Sequence, residues 1–259
     1  MTLTFNYSKA IGQFTLSSFE SRVKSTVPYF VYLPPNWHPE GNYSLLLFLH
    51  GQGGDEGTFQ KYVDAEQLNE WIKDGEIPDL VIAGIRGDDD RDKIQWFTEE
   101  NEALLIPELN GEFIQFCRDN FKAGGVKEGV SLEGHSRGGG GALHYLFKYP
   151  ESFRSVISLG YVSDYTLSEN KEMALKNKAA LIKSGVQLYM EIGTEDRFVR
   201  DQNRKASFAL HEYLDEIELP HSFEYLYGVE HGFDSFWHHY SDDDIQNGLR
   251  HLKRHCEGL

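Results

Sequence analysis

The stretch Gly134-His135-Ser136-Arg137-Gly138 places a serine between two glycines, each two residues away from it, a pattern associated with serine nucleophiles. Before it, Val130-Ser131-Leu132-Glu133 alternates apolar and polar residues as a strand does. After it, Gly139 to Phe147 reads as the start of a helix. A strand-to-helix turn that tight leaves no room for Cβ atoms beside the serine, which accounts for the glycines. The turn also lifts the hydroxyl out of the sheet, above a helix N-terminus that favours negative charge. A serine hydroxyl is a weak nucleophile at neutral pH, so it needs an imidazole base and a carboxylate to orient that base. In this strand–turn–helix setting the acid follows the serine in the chain and the histidine follows the acid.

Asp196 fits the acid. It follows the strand-like Leu188-Tyr189-Met190-Glu191-Ile192 and the turn Gly193-Thr194-Glu195. Its neighbour Glu195 is a rival for the role. Asp201 and Asp234 read as solvated loop carboxylates. His231 fits the base, since it follows Phe223 to Tyr227 within a glycine-flanked loop. His211, His221, His238 and His239 fall beside element ends, where exposure is the default. His251 and His255 lie four apart on one helix face, a metal-ligand spacing, but no third ligand is evident and no metal is expected.

Developing negative charge needs two backbone donors. Arg137 N–H, next to the serine, is one candidate. Gln52 N–H is the other, from His50-Gly51-Gln52-Gly53-Gly54 just after the apolar run Leu47-Phe48-Leu49. The glycines from Gly138 to Gly141 are not a phosphate cradle, because no Gly-Lys-Ser/Thr follows them. They suit close packing of a helix on a sheet. Trp96, Phe97, Phe233, Phe236 and Trp237 flank these positions, and Trp96, Phe233 and Trp237 are the candidate substrate-binding residues. A core role for these aromatics is the alternative.

These groups must be positioned by alternating strands and helices. Gln13 to Arg22 and Tyr29 to Leu33 read as an opening antiparallel pair. Tyr43 to Leu49 and Leu80 to Ile85 are near-continuous apolar runs, as in strands buried on both faces. Later strands fall at Ser155 to Leu159, Val186 to Ile192 and Ser222 to Tyr227. Helices are expected over Asp55 to Lys73, Glu102 to Phe121 and Asp242 to His255, with the Asp242-Asp243-Asp244 run as an acidic cap to the last. The pattern predicts one α/β domain over residues 1–259, a mainly parallel sheet with helices on both faces. In such sheets the site lies beyond the carboxyl ends of the strands, where Ser136, Asp196 and His231 all fall.

Composition narrows the function. The net charge of −16 argues against nucleic acid, which calls for a basic face. No run of eighteen apolar residues is present to span a membrane, and the N-terminal residues lack an apolar signal core. The expectation is a soluble cytoplasmic chain, or a secreted one whose signal has been removed. Cys117 and Cys256 are too few for a disulfide framework, and Cys117 fits an apolar helix face. Tyr161 to Ser184 is polar and lysine-rich, unlike an interfacial lid.

Three stretches, Leu49-His50-Gly51, Leu132 to Gly139 and Tyr149-Pro150-Glu151-Ser152-Phe153, resemble α/β-hydrolases of the putative-esterase, or esterase D-like, family. The resemblance runs from Tyr29 to the final helix. That family includes feruloyl and acetyl-xylan esterases, siderophore esterases, S-formylglutathione hydrolases and mycolyltransferases. The resemblance implies an α/β-hydrolase fold and a Ser136, Asp196, His231 triad with no cofactor. The activity it implies is carboxylic ester hydrolysis of short-acyl or aromatic-acyl, including carbohydrate-linked, small-molecule substrates. Arg137 departs from it, since the family commonly has methionine there. The fuller motif of S-formylglutathione hydrolases around the serine is not matched. A serine peptidase on the same fold and a non-catalytic binding protein remain the alternative functions.

Overall fold

Long apolar runs with few polar interruptions must be covered on both sides, and they build the centre of this molecule. The computed structural model describes residues 7–87, 96–125, 129–240 and 244–258. The strands are β1 (Phe14–Ser21), β2 (Ser25–Tyr32), β3 (Ser44–Leu49), β4 (Leu80–Ile85), β5 (Val130–His135), β6 (Ser155–Leu159), β7 (Gln187–Gly193) and β8 (Ser222–Leu226). They form one eight-stranded sheet in the order β1-β2-β4-β3-β5-β6-β7-β8. β2 pairs antiparallel with β1 and with β4, and every other pairing is parallel.

The helices are α1 (Thr58–Tyr62), α2 (Ala65–Lys73), α3 (Glu99–Leu105), α4 (Glu112–Phe121), α5 (Arg137–Lys148), α6 (Asp164–Ser184), α7 (Arg197–Arg200), α8 (Ala206–Glu216), α9 (Phe233–Trp237) and α10 (Asn247–Cys256). Alternation along the strands sends successive side chains into two cores. Leu45, Leu47 and Leu49 of β3 face α4, α5, α6 and α8, in the core that also holds Cys117. Leu46 and Phe48 face α1, α2, α9 and α10. No described helix is long and apolar enough to cross a membrane.

Three expected helices differ in the structure, each for a local reason. Asp55 to Lys73 is two helices, because Val63 is extended and the Asp64 carboxylate accepts the Glu66 N–H at 2.9 Å, starting α2 afresh. Glu102 to Phe121 is broken after Ile106, where Pro107 opens a single tight turn that closes on Asn110 at φ 53°. This break leaves Leu109 exposed. The last helix begins at Asn247, after Gln246. Asp242 and Asp243 lie outside the described residues, and Asp244 is exposed at φ 58°, ahead of that start.

His251 and His255 meet carboxylates. His251 Nδ1 lies 3.3 Å from Glu133 Oε1 on β5, and its Nε2 lies 3.0 Å from Glu191 Oε2 on β7, with all three side chains fully buried. His255 Nε2 is 3.2 Å from Glu133 Oε2, and Arg254 reaches Glu191 Oε1 at 2.7 Å. Burial alone would discharge His251, but the two carboxylates outweigh it and hold its pKa well above the ordinary value. Burial likewise pushes both glutamates up, yet His251 brings each below the carboxylate range. The charged cluster pins α10 beneath β5 and β7. Since the folded state keeps a proton on His251 that the unfolded chain loses, its contribution declines as pH rises above about 6.5, and the contribution of the two glutamates declines as pH falls below about 4.5. His251→Ala should cost about 3–5 kcal/mol in urea unfolding near neutral pH and flatten the alkaline decline in stability.

Candidate active site

Ser136 sits at the end of β5 with φ 57° and ψ −113°, a backbone conformation that is strained for a residue bearing a Cβ. Its N–H donates to Leu159 O at 2.7 Å, which ties the turn to β6. A Cβ on Gly138 would stand 1.9 Å from Leu49 O, and one on Gly134 would stand 2.1 Å from Gly138 O. No other residue type fits there, so α5 lies directly on the sheet with its first-turn N–H groups beneath the serine.

The loops after β7 and β8 meet this turn. Asp196 follows β7 and is fully buried. Its Oδ1 accepts the Phe198 N–H at 2.9 Å, and its Oδ2 lies 2.5 Å from His231 Nδ1. His231 follows β8, and its Nε2 lies 2.8 Å from Ser136 Oγ. Backbone bonds join the two loops, with Thr194 N–H to Leu226 O at 2.9 Å and Glu195 N–H to Val229 O at 3.0 Å. Glu195, the rival acid, instead pairs with Arg200 at 2.8 Å on the surface. A carboxylate, an imidazole and a hydroxyl in this sequence can pass a proton from Ser136 Oγ to His231 Nε2 and stabilise the resulting imidazolium.

The loop from Gly51 to Gly54 closes the other side. Gly51 packs against the turn, where a Cβ would lie 3.3 Å from Ser136 Cβ. Gln52 is exposed at the mouth, and its N–H has no hydrogen-bond partner among the described residues. Arg137 is the first residue of α5. His50 holds the loop from behind, with Nε2 accepting the Gly87 N–H at 3.0 Å and Nδ1–H donating to Gly51 O at 2.9 Å. Burial lowers the His50 pKa, which agrees with a neutral ring accepting at one nitrogen and donating at the other.

Ser136, His231 and Gln52 line a cleft of about 380 Å³. Thr58, Lys61 and Tyr62 of α1 wall one side, and Arg197, Phe198 and Asp234 wall another. Of the three candidate substrate-binding aromatics, Phe233 reaches this cleft. Trp96 and Trp237 do not. Trp96 is fully buried, donating Nε1–H to His50 O at 3.0 Å and packing edge-on against the His50 ring. Trp237 is fully buried between Phe59 and His251. Both are core residues, since their hydrophobic area is spent on neighbours behind the site. Helix α6, spanning most of Tyr161 to Ser184, packs on α5 and α8 and adds nothing to the cleft lining.

Sequence reasoning passed over His135, Phe198, Lys61 and Tyr62. His135 Nε2–H donates to the His231 backbone carbonyl at 2.5 Å. Burial first, and the neighbouring His231 ring second, push its pKa down to about 4, so it acts as a fixed neutral donor. The Phe198 ring packs edge-on against His231 at 4.5 Å between centroids. Position gave one available signal, because Phe198 stands two residues beyond an acid at a strand's carboxyl end. Lys61 and Tyr62 carried none, lying on a helix whose break was not foreseen.

A family model described as "Putative esterase" matches residues 21–244. Solved structures share the fold. A ferulic acid esterase superposes with a TM-score of 0.68 at 18% identity, covering 86% of this chain and 92% of its own. A substrate-bound fluorophosphonate-binding serine hydrolase from Staphylococcus aureus gives 0.69 at 15% identity, covering 93% and 98%. An S-formylglutathione hydrolase from Agrobacterium tumefaciens gives 0.64 at 19% identity, covering 95% of each chain.

Because Trp96 supports the loop and does not face the cleft, Trp96→Phe should leave KM for an aromatic-acyl ester unchanged. It should cost about 1–3 kcal/mol of stability through the stranded His50 carbonyl, read by chemical denaturation.

Proposed function

The chain belongs to the "Putative esterase" family and is a carboxylic ester hydrolase; from that premise we propose that it works through an acyl-enzyme on Ser136. The observation that carries this reading is the continuous contact from Asp196 through His231 to Ser136 at the strands' carboxyl ends. In it, His231 Nε2 takes the Oγ proton as Oγ attacks the ester carbonyl carbon. The Gln52 and Arg137 N–H groups receive the oxyanion. The tetrahedral adduct collapses, the C–O bond to the alcohol breaks, and His231 returns the proton to the leaving alkoxide. Water then attacks the acyl-enzyme with His231 again as base, and the acid leaves Ser136 regenerated. Asp196 keeps the proton on Nδ1 and stabilises the imidazolium.

The substrates proposed are short-acyl or aromatic-acyl esters, carbohydrate-linked ones included. Support comes from the modest cleft volume and from the Tyr62, Phe198 and Phe233 rings on its wall. The ferulic acid esterase likeness points the same way.

The deciding experiment is hydrolysis of a p-nitrophenyl ester chain-length series and methyl ferulate. Ser136→Ala should lower kcat by several orders of magnitude with the fold intact, and unchanged turnover would overturn the reading. Cleavage of aminoacyl amides without esters would favour a peptidase instead. The donor assignment has its own test. Gln52→Ala keeps the backbone N–H and should leave kcat nearly unchanged, whereas Gln52→Pro removes it and should cost about 10²–10³-fold. Equal effects in the two variants would remove Gln52 N–H from the mechanism.

A further inference from the structure

Away from the cleft, two histidines and an aspartate converge where α8 turns into β8. His211 and Asp215 stand one helical turn apart on α8, and His221 immediately precedes β8. One ligating atom from each lies within 4.8 Å of the others, the single such group of three among the described residues. His211 Nδ1 is 2.8 Å from His221 Nε2, and Asp215 Oδ1 is 3.9 Å from that same Nε2.

The two rings are already aimed. His221 Nδ1–H donates to Leu219 O at 2.9 Å, which fixes the tautomer and leaves a lone pair on Nε2. A carbonyl on the second ring nitrogen is the usual support of a metal-bound histidine. The His211 ring lies flat on Phe223, with centroids 4.4 Å apart and planes 7° apart. His211 therefore presents Nδ1 to His221 and turns Nε2 toward Asp215 Oδ2, 3.7 Å away.

We propose that His211 Nδ1, His221 Nε2 and Asp215 Oδ1 form a binding site for a borderline divalent transition cation of the zinc type. Metal–nitrogen bonds of about 2.0–2.1 Å in tetrahedral geometry put ligand atoms about 3.3 Å apart. The present separations of 2.8 Å and 3.9 Å bracket that value, and one ligand atom from each of the three residues already lies within 4.8 Å of the others, a span that small side-chain rotations can close. On binding, the cation replaces the hydrogen between the rings, and the His211 proton moves from Nδ1 to Nε2 on the Asp215 side. His211 and Asp215 are partly exposed, which leaves the fourth position to water. Two imidazoles and one carboxylate favour zinc, nickel or copper over calcium or magnesium. The site stands at the amino end of β8, while His231 follows that strand's carboxyl end. Its effect is thus to staple α8 to the sheet edge, separately from the chemistry at Ser136.

The test is calorimetric titration of the untagged, chelator-treated protein with zinc chloride near neutral pH. One ion per chain should bind and raise the melting temperature. His221→Ala, and separately the more exposed His211→Ala, should each weaken binding about tenfold or more and abolish the thermal shift. Ester hydrolysis should be the same with and without zinc. Binding weaker than about 1 mM (about −4 kcal/mol) overturns the site, as does zinc affinity unchanged in both variants.

Discussion

The close seat of α5 on the sheet is the constraint from which the candidate site follows. Ser136 must hold a left-handed backbone conformation, at a cost on the order of 1–3 kcal/mol. That strain persists because the helix behind it cannot move away. From Gly138 to Phe147 every residue of α5 is buried. Each of Leu143, Leu146 and Phe147 contributes about 1.5–3 kcal/mol by leaving water, so these three together outweigh the strain. Close approach at Gly138 is what makes this burial available, since any side chain there would lift the helix off Leu49.

Three strands then deliver three groups to one point, and two of them are restrained from behind as well as at their tips. Glu133 lies three residues before Ser136 on β5, and Glu191 lies five before Asp196 on β7. Both carboxylates close on His251 in the opposite core, so the two strands carrying nucleophile and acid share one buried anchor on α10. At the tips, His135 bonds the His231 carbonyl, and the loop bearing His231 bonds the loop bearing Asp196. A site on loops gains the precision of a site on strands by this means.

The sheet was legible in the sequence to within a residue or two at most strand ends, because runs such as Leu80 to Ile85 have no other way to be satisfied. The helices were less legible. Asp64 and Pro107 interrupt apolar patterns that continue across them, and spacing alone cannot see a break that a cap or a ring imposes. Ser136, Asp196 and His231 could be named because each stands just past a strand, a position that chain order fixes. The cleft wall could not. Trp96 and Trp237 have the same composition signal as Phe233, and only packing decides which aromatic borders the cleft and which fills the space behind His50 or above His251. The roles of His251 and His255 were hidden for the same reason, since their carboxylate partners are about 60 and 120 residues away in the chain.

Among the histidine–carboxylate contacts of this fold, those of His251 and His231 look alike on paper, and their surroundings give them opposite capacities. His251 has a carboxylate at each ring nitrogen and no exposure to water. Both nitrogens are donors, the proton is held, and the ring has no lone pair with which to take another. His231 has one carboxylate, at Nδ1, and its side chain keeps 13% of its exposure. Its second nitrogen faces the Ser136 hydroxyl, a group that can give up a proton. A second carboxylate at Nε2 would lock His231 as it locks His251. The proposed chemistry therefore depends as much on what is kept away from His231 Nε2 as on the aspartate at Nδ1. Asp234, the carboxylate of the same loop that lines the cleft, stands instead in the first turn of α9, against Gly232. There its charge suits the helix N-terminus and leaves the imidazole to the serine.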